Sequence, residues 1–336
     1  MSNNLSCEEL NKIQEVVNDG VTRTQHEVPV IASLFGLLYN ICNDIMQYLY
    51  FYSAKNYDMN IRSLNKSNIP FNIELIQKFY KENNISFDIE KYIREGNITI
   101  ENIKPKDITL NSIMCGKSLY SDGKNKIEIQ NNSLVADSAT WIHELSHFRD
   151  QPDHERNEIS HLFTESIAYT EELIYLDYLE RKGYKKEAKL IKNLIFTSAY
   201  NYATLATSIF KVCNLLDSTG ALTEENYRLY YADMNYYEHL SRIDYSIKND
   251  FFEIFRASIS MMGYYLSLYM YENHKEDHKF MESIQELHDD INKYDMDKCL
   301  EHIDLKHIEG YDRLKVVHAI SCVNNEMIQK NKVRKI

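Results

Sequence analysis

Glycine and proline are scarce in this chain, nine and four residues among 336. The shortage leaves no Pro/Gly/Ser-rich linker between independent domains, and neither an internal repeat nor a low-complexity segment is present. Cysteine is sparse and scattered, at positions 7, 42, 115, 213, 299 and 322, with no CxxC pair of the kind a zinc ribbon or dithiol redox motif requires. A long basic block is also missing. With a formal net charge of −12, the long-range field repels phosphate backbones, which argues against nucleic acid as a partner. The short basic run "KNKVRKI" at residues 330–336 reads as a solvated tail.

An uninterrupted apolar stretch of membrane length is likewise absent. The run at 28–52 is broken by Asn40, Asn43, Asp44 and Gln47, and the run at 251–271 carries Glu253 and Arg256. Such groups are costly at bilayer depth, so both runs are expected to be buried helices and no membrane span is expected. The start "MSNNLSCEEL" has neither the basic residues nor the apolar stretch of a secretory signal. With reduced thiols, the expectation is a cytoplasmic protein, unless a specialised, signal-peptide-independent route exports it.

What is abundant is helix-forming. Apolar residues make up 44% of the chain, and Leu, Ile, Lys, Glu and Tyr recur at helical spacings, which predicts a mainly α-helical fold. Residues 8–95 read as helices, including 28–53 and 73–84. The segment 97–112 alternates and contains a proline, as a connecting region would. A turn at Ser121-Asp122-Gly123 precedes the alternating run Lys126-Ile127-Glu128-Ile129-Gln130, the best strand candidate, so one small sheet is expected. From Ser133 to residue 275 the pattern is helical again. The expected division is an N-terminal helical lobe over 1–110 and a second lobe over 111–336 that holds the strand candidate and the C-terminal helices.

The stretch "WIHELSHFRD" (141–150) holds His143-Glu144-Leu145-Ser146-His147, an HExxH arrangement inside a predicted helix that Pro152 stops. Residues four apart differ by about 40° around a helix axis and about 6 Å along it, so both imidazoles can reach one ion. Catalytic zinc takes three protein ligands and leaves a position for water, whose pKa it lowers to about 7. Glu144 is placed to take the proton of that zinc-bound water. A third ligand is offered by Glu165 on the next predicted helix (158–183), where the small Ala168 allows close helix approach. Asp153, His154 and His161 remain alternatives for that place. Glu172, two turns beyond Glu165, is a candidate to orient a histidine through its second ring nitrogen, in competition with Glu171 and Asp137.

These residues resemble those of the gluzincin clan of metallopeptidases, and the helix "FTESIAYTEELIYLDYLERKG" (163–183) is similar to the glutamate-bearing helix of the thimet oligopeptidase and oligoendopeptidase F family. The resemblance covers roughly residues 118–272. It implies a helical zincin-type fold with a small sheet beside the HExxH helix, an edge strand over 124–130 that pairs with extended peptide, and one Zn2+ held by His143, His147 and Glu165. Glu144 would then activate water and later protonate the leaving amine. Departures are visible: Ser146 stands where that family has glycine, the chain is much smaller than a typical member, and Asp244 falls where a histidine is usual. Tyr245 is the candidate oxyanion donor there and His239 the second. The reading is a zinc-dependent peptidase acting on oligopeptides or a flexible protein segment. The alternatives are a regulatory or effector protease with one protein target, and a non-catalytic helical binding protein with a vestigial motif.

Overall fold

The computed structural model describes residues 73–102, 116–121, 124–131, 137–149, 158–219, 251–277, 279–292 and 296–301, with a few isolated positions before residue 73. Helix dominates the described residues, and the strands form one three-stranded sheet. By contact the chain divides into two compact units. One comprises 1–51, 198–262 and 324–336; the other comprises 52–197 and 263–323. The expected boundary at residue 110 falls inside the second unit, which also holds the HExxH segment. The predicted helix over 28–53 lies outside the described residues. No helix among the described residues is long and apolar enough to cross a membrane.

Helix α1 (Ile73–Glu82) buries Ile76, Phe79 and Tyr80, spaced three and four along one face. It ends where Asn84 takes φ +59°, a left-handed position that asparagine tolerates. Helix α2 (Ile89–Arg94) is capped by Asp88, whose side chain accepts from the Lys91 amide. Gln77 joins the two helices, donating to the Phe87 carbonyl at 2.6 Å and accepting from the Ile89 amide at 3.2 Å.

Strand β1 (Ile98–Asn102) pairs in parallel with β3 (Lys124–Asn131), Ile98 opposite Ile127. Strand β2 (Gly116–Ser121) pairs with β3 antiparallel, Ser121 opposite Lys124. The alternation in β3 turns Ile127 and Ile129 into the core and leaves Glu128 exposed. Two sequence expectations change here. Residues 98–102 are a strand and not a connection. The run 124–130 is the central strand, with both hydrogen-bonding edges occupied, so it is not the edge expected to receive a peptide.

The remaining helices are α3 (Asp137–Arg149), α4 (Glu158–Arg181), α5 (Lys185–Thr219), α6 (Phe251–His274), α7 (Phe280–Asn292) and α8 (Met296–Glu301). Of these, α3 is the centre of its unit: from Asp137 to Phe148 every residue except His143 is buried. It lies against the sheet on one side and α4 on the other, which is why it shows no polar face. The Asn125 amide donates to the Phe148 carbonyl at 2.9 Å, tying β3 to the end of α3. An aromatic cluster formed by Phe79, Tyr175 and Tyr178 holds α1 on α4.

Candidate metal centre

Helix α3 carries His143 and His147 on one face, and α4 packs alongside with Glu165 toward them. The two Nε2 atoms stand 3.1 Å apart. Glu165 Oε2 is 3.7 Å from His143 Nε2, and its Oε1 is 3.4 Å from His147 Nε2. Ligand atoms about 2.0–2.1 Å from a tetrahedral zinc lie about 3.3–3.4 Å from each other. The two imidazole nitrogens and the two oxygens of the Glu165 carboxylate stand near that edge length, and one donor atom from each of the three residues lies within 4.8 Å of the others, a grouping that could hold a metal ion. They are the group of metal-ligating side chains that converges among the described residues.

The charge around the donors favours a cation as well. Glu144, Glu165 and Glu172 are all buried. Burial pushes the Glu172 carboxyl above its usual range, and Glu144 and Glu165 add to the shift, although His143 opposes it. Buried anions crowded together are costly unless a positive charge compensates them. For His143, burial is the largest influence and disfavours the proton. The neighbouring Glu172 and Glu165 outweigh it, and the imidazole is held above its ordinary pKa. His143 Nδ1 lies 3.1 Å from Glu172 Oε1, an ion-pair approach without hydrogen-bond alignment, and Nε2 faces the other donors.

Adjacent residues on a helix diverge by about 100°, and the next carboxylate serves a different group. Glu171 pairs with Arg149 and accepts from Gln285 at 3.1 Å, while Arg149 also donates to Gln285 at 2.8 Å. His288 completes the cluster, 3.6 Å from Glu171 and 3.4 Å from the Ser146 hydroxyl. Burial opposes ionisation of Glu171, but Arg149 and His288 overcome it and lower its pKa to about 2.

Glu144 is buried against β2. A Cβ added at Gly116 would come within 2.8 Å of its Cγ and 3.2 Å of its Oε1. Tyr169, one turn beyond Glu165, sets its ring edge against His143 with centroids 4.7 Å apart, and itself packs on Tyr264. No protein-family model matches the chain, and no curated protein or solved structure is significantly similar to it. The geometry therefore stands by itself.

The structure thus brings together His143, His147 and Glu165, with Glu172 behind His143 and Glu144 on the same helix. Asp137 is buried at the start of α3. The other candidates, Asp153, His154, His239 and Tyr245, lie outside the described residues, as does the side chain of His161. Sequence reading did not single out Gly116, Gly263 or the Arg149–Glu171 cluster. For Gly263 a signal existed: in so glycine-poor a chain, one in the interior of a helical pattern calls for a packing reason.

Proposed function

We propose that the chain is a zinc-dependent metallopeptidase of gluzincin type that hydrolyses peptide bonds of oligopeptides or of a flexible protein segment. The supporting observation is the convergence of His143, His147 and Glu165 at ligand-to-ligand distances, with a buried glutamate directly after the first histidine. Zinc in such a donor set supplies a water of lowered pKa and a Lewis acid for the carbonyl. The chain's own residues do the rest. His143, His147 and Glu165 would hold the ion, and Glu172 would back the His143 ring from its Nδ1 side. Glu144 would accept a proton from the water as its oxygen bonds to the carbonyl carbon, and would then pass that proton to the amine nitrogen as the C–N bond breaks.

Purification without chelator followed by metal analysis tests the reading. About one equivalent of zinc, with hydrolysis of a peptide library, supports it. Turnover of one protein and not of short peptides would instead indicate a regulatory or effector protease. Less than about half an equivalent of zinc would leave a non-catalytic helical binding protein.

A further inference from the structure

Gly263 lies in the interior of α6, where glycine is the poorest helix former after proline. Its φ is not in the left-handed range, unlike those of Gly96 and Gly183, so the backbone conformation does not demand glycine. The surroundings do. A Cβ at 263 would stand 2.7 Å from Glu165 Cβ, 3.1 Å from the Leu162 carbonyl oxygen and 3.2 Å from the Ser166 amide nitrogen. Two of these are backbone atoms of α4, and the third is the root of the proposed ligand's side chain; none is a flexible tip that can swing aside. Helix α6 therefore meets α4 backbone to side-chain root, directly behind Glu165.

We infer that Gly263 is a positioning residue for the metal centre: by lacking a side chain it seats α6 against Glu165 and so sets where the third carboxylate stands. The inference rests on the metal-centre reading above and adds a role for a residue that touches no metal donor atom. The magnitudes make the contact consequential. The 2.7 Å approach is about 0.7 Å short of ordinary contact, whereas metal–ligand distances tolerate about 0.2 Å. Restoring contact requires either parting the helices or turning Glu165 about its Cα–Cβ bond, and either movement displaces the carboxylate relative to the imidazoles.

The test measures Zn2+ affinity by competition with a chromogenic chelator, which needs no catalytic activity. Gly263→Ala is compared with wild type and with Gly183→Ala. Position 183 has φ +95° and nothing within 4 Å of an added Cβ, so the second substitution strains the backbone away from the centre. The expected result is zinc affinity at least tenfold weaker in Gly263→Ala and unchanged in Gly183→Ala, with both variants melting below wild type. A loss under tenfold in Gly263→Ala, or an equal loss in Gly183→Ala, overturns the inference and leaves the metal centre standing. No zinc binding by the wild type sinks the metal-centre reading and this inference with it. If Gly263→Ala does not fold, the double variant Gly263→Ala/Glu165→Gly removes the opposing Cβ. Recovery of folding supports the contact, and failure to recover, with Glu165→Gly alone folded, overturns it.

Discussion

Glu172 Oε1 stands 3.1 Å from His143 Nδ1, on the side of the imidazole away from His147 and Glu165. One carboxylate of α4 thus faces the donor cluster, and another, two turns further on, backs one of the cluster's rings. Partners of this kind are worth about 10–100-fold in metal affinity. Glu172→Ala is expected to weaken zinc binding by that range, measured by chelator competition, with a smaller loss in Glu172→Gln, which keeps an oxygen beside Nδ1 and loses only the charge. Affinity unchanged in both variants would remove Glu172 from the site.

Replacement of Glu144 separates metal binding from chemistry. Glu144→Gln should keep the fold and a full equivalent of zinc while hydrolysis falls by about 100-fold or more. His147→Ala should lose both zinc and hydrolysis. Full activity in Glu144→Gln, read as initial rates on a peptide library, would contradict the assigned role.

Gly116 offers a finer version of the same separation. Its backbone closes on Glu144 and Thr140, and a methyl group there would overlap Glu144 Cγ. Gly116→Ala should therefore lower kcat, by up to about 100-fold if Glu144 is pushed about 1 Å out of place, with zinc content unaltered. A fall in zinc content equal to the fall in kcat would show that the substitution disrupts the whole centre.

The Arg149–Glu171 pair governs the acid side of stability. Glu171 is fully buried, and its pKa is lowered from 4.5 to about 2. A depressed carboxyl pKa contributes stability that is present above pH 4.5 and lost as pH falls toward 2. Removing one partner of a buried pair leaves the other uncompensated, so Glu171→Gln should destabilise the neutral-pH protein by about 3 kcal/mol. Its stability should also depend less on pH between 4.5 and 2. Urea unfolding of wild type and variant at pH 7, 4 and 3 checks both statements, and parallel pH curves would refute the assignment.

The helices and the histidine pair were readable because their signals are local. The HELSH spacing, the absence of breakers over 137–149 and the apolar spacing of Ile76, Phe79 and Tyr80 all lie within a few turns. What escaped depends on partners distant in sequence. Strand β1 is five residues long, and its strand character comes from pairing with Ile127–Asn131. The central place of β3 follows from that same pairing. Glu171 and Glu172 are indistinguishable as adjacent letters, and only the packing of α3 and α7 against α4 gives one to Arg149 and the other to His143.

The brace behind Glu165 comes from Gly263, about a hundred residues later, whereas the three proposed ligands all lie within residues 143–165. Closing the short span costs far less chain entropy than closing the long one. A pair of neighbouring helices can therefore gather the proposed ligands before α6 docks, and under the proposed function the metal would take part in assembly as well as in chemistry. Trp141, the single tryptophan, is fully buried in α3, the helix that carries both histidines. Its fluorescence in stopped-flow refolding should report an early phase that accelerates with Zn2+ concentration, followed by a slower phase that does not.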